Sequence, residues 1–246
     1  FEALAGSRLV VLAAGANQRP GEARADLLLR NAAILRDVVP EVRRHAPDAL
    51  TLVTTNPVDA MTLLASRDAE GAGAPAGRVF GSGTMLDTAR FRQAVARHVG
   101  VDAHHVHGYV VGEHGDSEVL VWSSLDVAGR PVGEVCASLG VPWGPEDRAG
   151  IEDDVVGAAY RIIEGKGATY FGIGAAVAHV AEVVLRDQRA VLTVSAVDEG
   201  RGCALSLPRL VGGEGVMHTI GVDLDEGERE RLEASARVLR EHAEAL

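Results

Sequence analysis

Arg8-Leu-Val-Val-Leu-Ala-Ala14, the segment 24–45 and Leu50-Thr-Leu-Val-Thr-Thr55 decide the fold, because in that order they read as strand, helix and strand. The first and third are short continuous apolar runs, the pattern of strands buried on both faces of a parallel sheet. Gly15 ends the first run, and Asn56-Pro57 stops the other. Between them the polar loop Asn17-Gln-Arg-Pro-Gly-Glu22 leads into a long amphipathic helix over 24–45, in which Pro40 is expected to mark a break or restart. Further out, the pattern predicts a helix over 58–66, a Gly/Ala/Pro loop over 70–77, a short strand at Val79-Phe80 and a helix over 87–98. Strands and helices alternating at this spacing predict an α/β parallel sheet.

Beyond residue 104 the rhythm changes. Residues 119–127 and 205–211 read as antiparallel strands, and 147–164, 168–186 and 226–245 as helices. Two lobes sharing one cleft, with a boundary near residue 80, are the economical arrangement. The length of 246 residues suffices for that. A net charge of −11, from 35 acidic against 24 basic residues and with no Lys/Arg run, argues against a nucleic-acid surface. An acidic body still binds small anions where a few Arg residues are focused into one cleft. Two cysteines, Cys136 and Cys203, cannot build a disulfide scaffold or a thiolate metal site and fit a reducing cytosol. No apolar run is long enough to span a membrane, and the first residues lack the pattern of a signal peptide.

Gly112-Glu-His-Gly-Asp-Ser117 is the most informative hexapeptide. A His between small residues sits on an exposed turn, and one carboxylate on a ring nitrogen fixes its tautomer and raises its pKa. The bland alternative is a solvated loop His. His104, His105, His107 and His114 lie close in sequence, but their spacing matches no zinc pattern, so no metal is expected. Asp87-Thr-Ala-Arg90 opens a helix after Gly81-Ser-Gly83, where Asp87 would serve equally as an N-cap and Arg90 as a surface charge. Gln18, Arg19 and Arg24 follow a strand's carboxyl end, where open parallel sheets bind ligands, on a Gly-containing loop suited to a lid over an anion. Asn56 ends a strand on the same edge, where its side chain can bond a substrate oxygen and its X-Pro bond can lock the turn in cis.

In this order, the segments Ala14–Glu22, Thr55-Asn-Pro-Val-Asp59, Gly81–Arg92 and Gly112–Ser117 resemble the lactate/malate dehydrogenase family. The similarity continues through Ile163-Glu-Gly-Lys-Gly-Ala-Thr169 and Ala190-Val-Leu-Thr-Val-Ser195 to the C-terminal helix. The resemblance implies a cytoplasmic, NAD-dependent enzyme that reduces pyruvate to L-lactate. It makes His114 the acid/base residue, Asp87 its carboxylate partner, Arg90 the fork on the substrate carboxylate and Arg24 the cation at the reacting carbonyl. Asn56 and Thr169 would line the substrate pocket, and Gly15, Ala16, Asn56 and Ser82 would approach the cofactor. The neutral Gln18 stands where malate-type members carry an Arg, which points to pyruvate rather than oxaloacetate. Arg92 and His107 match the pair that holds fructose 1,6-bisphosphate in effector-responsive bacterial members, and this would imply a homotetramer.

The family's fold begins with a Gly-x-Gly-x-x-Gly turn that this sequence lacks. The chain is therefore expected to be N-terminally truncated. Residues 1–80 would be the C-terminal part of a dinucleotide-binding domain with an incomplete Rossmann-type parallel sheet, and 81–246 an α+β substrate and catalytic domain. Without the missing strands the sheet is expected to expose an apolar edge, leaving the chain alone unstable and inactive.

Overall fold

The computed structural model describes every residue except 17–23 and 168, and every side chain except those of these residues and of 24, 25 and 166. Gln18, Arg19 and the side chain of Arg24 therefore lie outside the described residues.

The first half is a strand–helix alternation. β1 (Leu9–Leu12), α1 (Arg24–His45), β2 (Leu50–Val53), α2 (Val58–Gly71) and β3 (Val79–Gly81) follow in order. β1 pairs parallel with β2, and β2 parallel with β3. All four residues of β2 are buried, so its continuous apolar run reflects cover on both faces. One core lies between the sheet and the two helices, around Leu28, Leu35, Val53, Met61 and Ala65. The other face is covered by α7 (Tyr170–Leu185), which packs Val180, Val183 and Val184 against Leu50, Leu52 and Phe80. Each such fully buried side chain contributes about 1.5–3 kcal/mol over leaving it in water.

Pro40 does not break α1, contrary to expectation: the helix runs through it. Val39 and Val42, on either side of the exposed Pro40, are both buried, and their packing carries the helix across the missing hydrogen bond. The expected loop over 70–77 is shorter, because α2 continues to Gly71 with Ala69 buried beneath its last turn.

The second half comprises α3 (Met85–Val99), β4 (Val106–Val111), β5 (Val119–Val127), β6 (Arg130–Pro131), α4 (Val132–Leu139), α5 (Pro145–Val156) and α6 (Ala158–Lys166). After α7 come β7 (Ala190–Asp198), β8 (Cys203–Gly212), β9 (Gly215–Thr219) and α8 (Glu226–Glu244). The single helix expected over 147–164 is two, parted at Gly157, where a Cβ would lie 2.8 Å from the Asp153 carbonyl oxygen. Among the described residues the sheets are a six-stranded one, ordered β1-β2-β3-β7-β8-β9, and a three-stranded one, β4-β5-β6. The larger sheet turns antiparallel where β3 meets β7, through the pair Gly81 and Ser195. A bridge between Gly112 and Ser206 ties the end of β4 to β8. This brings the loop after β4 over the carboxyl ends of β2 and β3. β1 is an edge strand of the larger sheet, with Val11 partly exposed.

Candidate active site

Three turns meet at the carboxyl ends of the parallel strands. After β1, Gly15 lies so close to the next turn that a Cβ would come within 2.5 Å of Thr55 Cγ2. Asn31 on α1 clamps both turns: its Oδ1 accepts the Ala16 N–H at 2.7 Å, and its Nδ2 donates to the Asn56 carbonyl at 2.7 Å. The Thr55 hydroxyl donates to the Ala14 carbonyl at 2.8 Å. The Asn56–Pro57 bond is cis. After β3, Ser82 is buried and donates its N–H to the Val53 carbonyl, and Gly83 takes a φ of +52° against Ser206.

α3 starts just beyond. Its N-cap is Thr84, so Asp87 lies inside the first turn rather than capping it. There the helix dipole favours a negative charge. Asp87 is 3% exposed, and both its oxygens are used. Oδ2 bonds His114 Nδ1 at 2.6 Å, and Oδ1 accepts from Arg90 Nη1 at 2.9 Å. Arg90 sits one turn further along the helix, on the same face.

The loop carrying His114 is pinned from several sides. Gly112 has a φ of +89°, a conformation that favours glycine, and a Cβ there would meet Ser235 Oγ of α8 at 2.7 Å. The Ser235 hydroxyl accepts the Glu113 N–H at 2.8 Å, and Ser117 donates through N–H and hydroxyl to Glu113 Oε2. From below, Asp59 of α2 accepts the His114 N–H on Oδ2 at 2.8 Å and the Ser195 hydroxyl on Oδ1 at 2.6 Å. The buried Asp59 carboxylate is held by these two donors. Burial pushes the Asp59 pKa up to about 6, although both donors pull it down.

Burial by itself would favour a neutral His114 ring, but the Asp87 carboxylate outweighs it and raises the pKa to about 9. Burial likewise works against the Asp87 charge, yet the neighbouring His114, with Arg90 behind it, holds its carboxyl below the ordinary range. The His114 side chain keeps 29% of its surface open. That surface faces a cavity of about 400 Å³ lined also by Asn56, Pro57, Asp87 and Arg90, with apolar walls from Leu27, Leu28, Val156 and Ala159. An imidazolium, a guanidinium and an apolar wall in one cavity suit a small organic anion that receives a proton.

Residues 1–81 match the lactate/malate dehydrogenase NAD binding domain, and residues 84–246 the lactate/malate dehydrogenase alpha/beta C-terminal domain. The chain belongs to the lactate/malate dehydrogenase family. Curated relatives include the L-lactate dehydrogenase of Deinococcus radiodurans, 55% identical over 96% of this chain and 76% of the relative. The L-lactate dehydrogenase of Thermus aquaticus is 50% identical over all of this chain and 80% of its own length. Among solved structures, the minor L-lactate dehydrogenase of Enterococcus mundtii superposes with a TM-score of 0.92 at 38% identity, over the whole chain and 78% of its own.

Within this dehydrogenase fold, the sequence-expected His114, Asp87, Arg90 and Asn56 share one cavity. Thr169, the N-cap of α7, does not line it, nor do Gly15, Ala16 or Ser82. Arg92 and His107 line a second cavity of about 420 Å³ with His104, Tyr109 and His179. Sequence reading passed over Asp59, Asn31 and Ser235, which hold the turns in place. Asp59 left one trace, an acidic residue inside the apolar run Val58-Asp-Ala-Met-Thr-Leu-Leu64.

The cofactor that the family binds fits this edge. Gly15 is exposed at the end of β1, and the exposed Asn56 lines the cavity that holds His114. Parallel sheets bind dinucleotides at such strand ends.

Proposed function

We propose that this chain works as an NAD-dependent L-lactate dehydrogenase, reducing pyruvate reversibly to L-lactate. The observation that carries the proposal is the 2.6 Å bond between His114 Nδ1 and Asp87 Oδ2 at the wall of a cavity that also contains Arg90. When bound, the nicotinamide supplies the hydride. Gly15, Ala16, Asn56 and Ser82 would hold its reactive half at the strand ends. His114 donates its proton to the carbonyl oxygen, whose negative charge grows as the ketone is reduced. Asp87 keeps Nδ1 protonated, so that Nε2 faces the substrate, and stabilises the imidazolium. Arg90 grips the substrate carboxylate, a planar fork that a Lys does not reproduce. Arg24 would act as the carbonyl cation, and Gln18 as the neutral selector against a second carboxylate. In the reverse direction, neutral His114 accepts the hydroxyl proton of lactate.

The same reading assigns 1–80 to a dinucleotide-binding domain and 81–246 to the catalytic domain, in a cytosolic homotetramer. Arg92 and His107 would receive the phosphates of fructose 1,6-bisphosphate. Among the described residues no helix is long and apolar enough to cross a membrane.

The test is NADH oxidation with pyruvate and with oxaloacetate, each with and without fructose 1,6-bisphosphate. A strong preference for pyruvate is expected. Equal or better turnover of oxaloacetate would mean that a second cation reaches the pocket and would move the assignment to a malate or broader 2-hydroxyacid dehydrogenase. No turnover of either, in folded protein given NADH, would favour a non-catalytic role.

A further inference from the structure

Glu118 begins where the His114 loop ends, and nothing in the mechanism above uses it. Its carboxylate lies in the same cavity wall, with one oxygen, a nitrogen of His114 and an oxygen of Asp87 all within 4.8 Å of one another. Its Oε1 is buried and has no hydrogen-bond partner among the described residues. A buried carboxylate oxygen left unpaired is costly, and in a folded protein such a group usually has a reason to be there. Here it stands beside the one proton the reaction moves.

We propose that Glu118 is a positioning residue that acts on the reaction through His114, as the third ionisable group of a cluster that holds the transferable proton. The inference rests on the dehydrogenase reading of His114 but concerns a different residue. Two carboxylates with oxygens within 4.8 Å of one imidazole nitrogen cannot titrate independently. Burial, followed by the Asp87 charge, pushes the Glu118 pKa up to about 8, while His114 and Arg90 pull the other way. Glu118 and His114 therefore titrate as members of one cluster. Once charged, Glu118 strengthens the hold of the ring on its own proton, in the same direction as Asp87.

Other charges face the cluster and set the background for this effect. Glu113 on the same loop disfavours a charged Glu118, and Asp59 beneath the loop adds to the hold on the His114 proton. Glu241 and His242 of α8 line the far side of the cavity, and Tyr160 of α6 bonds Asp116 at its rim. None of these brings an atom into the three-group cluster.

The test compares wild-type protein with Glu118→Gln and Glu118→Asp. The first readout is the pH profile of kcat/KM for pyruvate, and the second is the NMR titration of the His114 ring protons. In Glu118→Gln the alkaline limb should move down by about one pH unit, because the ring loses a neighbouring negative charge. The wild-type ring should titrate in two steps, one reporting Glu118, and the Gln variant in one. Glu118→Asp should restore both the limb and the second step. A limb and a ring titration unchanged in Glu118→Gln would overturn the proposal, as would an equal shift in the Asp variant. If wild-type protein reduces no pyruvate, the dehydrogenase reading fails, and the ring titration still decides the role of Glu118.

Discussion

Strand β4 carries one histidine near its start and points to another just past its end, and the two could hardly be held more differently. His107 is exposed, and its ring makes no side-chain hydrogen bond among the described residues. His114 is tied by its backbone to Asp59 and by its ring to Asp87. The loop that carries it is fastened to α8 through Ser235. Among the described residues the first histidine is oriented by no side-chain bond, whereas the second has its tautomer, direction and charge set in advance by Asp59 and Asp87. Preorganisation of that kind suits a group that must move a proton repeatedly in one direction. Loose tethering suits a group that waits for a ligand to organise it.

The sharpest way to break this comparison is to remove the preorganised ring. His114→Asn should lower kcat/KM for pyruvate by about 10²- to 10⁴-fold, the range of general acid catalysis, while NADH binding followed by fluorescence persists. A loss below tenfold would deny His114 its role. Next in size is the support beneath it. Asp59→Ala leaves the His114 N–H and the buried Ser195 hydroxyl without their acceptor, at a cost of about 1–3 kcal/mol for each group. Thermal unfolding should report that loss, and kcat should fall with it as the loop loosens. Asp59→Asn, which can still accept one bond and donate the other, should lose much less of both. Equal effects from the two variants would show that the charge of Asp59, and not its bonds, is what matters.

The pH dependence is the third test, and its sign follows from the raised His114 pKa. Pyruvate reduction needs the protonated ring, so kcat/KM should hold at neutral pH and fall as pH rises through about 9. Lactate oxidation needs the neutral ring and should rise over the same interval. Opposite limbs with a shared midpoint are the expected result. A reduction limb near the ordinary histidine range would mean that Asp87 does not hold the imidazolium as its geometry indicates.

Much of this was legible in the sequence, for reasons that differ from place to place. The buried run 50–55 and the stop at Asn56-Pro57 located β2 and its ligand-facing end, because a strand covered on both faces has no polar alternation to obscure it. His114, Asp87 and Arg90 stood in short, ordered motifs, and the structure brings them into contact. Pro40 misled because local propensity lost to packing on both sides of it. The division of 147–164 into two helices turned on the one glycine, Gly157, that lets the chain turn against Arg161 and the Asp153 carbonyl. Asn31 and Ser235 were silent, and Asp59 nearly so, because their partners are far away in sequence. Asp59 meets Ser195 across 136 positions, and no local pattern announces such a pair.

The smallest expected effect lies at the loosely held histidine. Arg92, its neighbour in the second cavity, is already partly oriented: Nε donates to the Gly108 carbonyl at 2.9 Å, and the guanidinium lies 5.4 Å from the Tyr109 ring centroid. His107 brings a ring at the surface, where a phosphate contact is screened by solvent and salt. Removing one such contact should therefore trim the response to fructose 1,6-bisphosphate only a few-fold, as about 0.5–1 kcal/mol implies. The measurement is the ratio of kcat/KM with and without the effector, in His107→Gln and in Arg92→Lys. Arg92→Lys should lower it further, because it keeps the charge but loses the planar fork. The effect of His107→Gln should shrink as salt is raised, whereas the loss in His114→Asn, inside a largely buried cluster, should not. A salt-independent loss at His107 would remove the contrast between the two histidines, and an undiminished response in both variants would remove the effector site from this cavity.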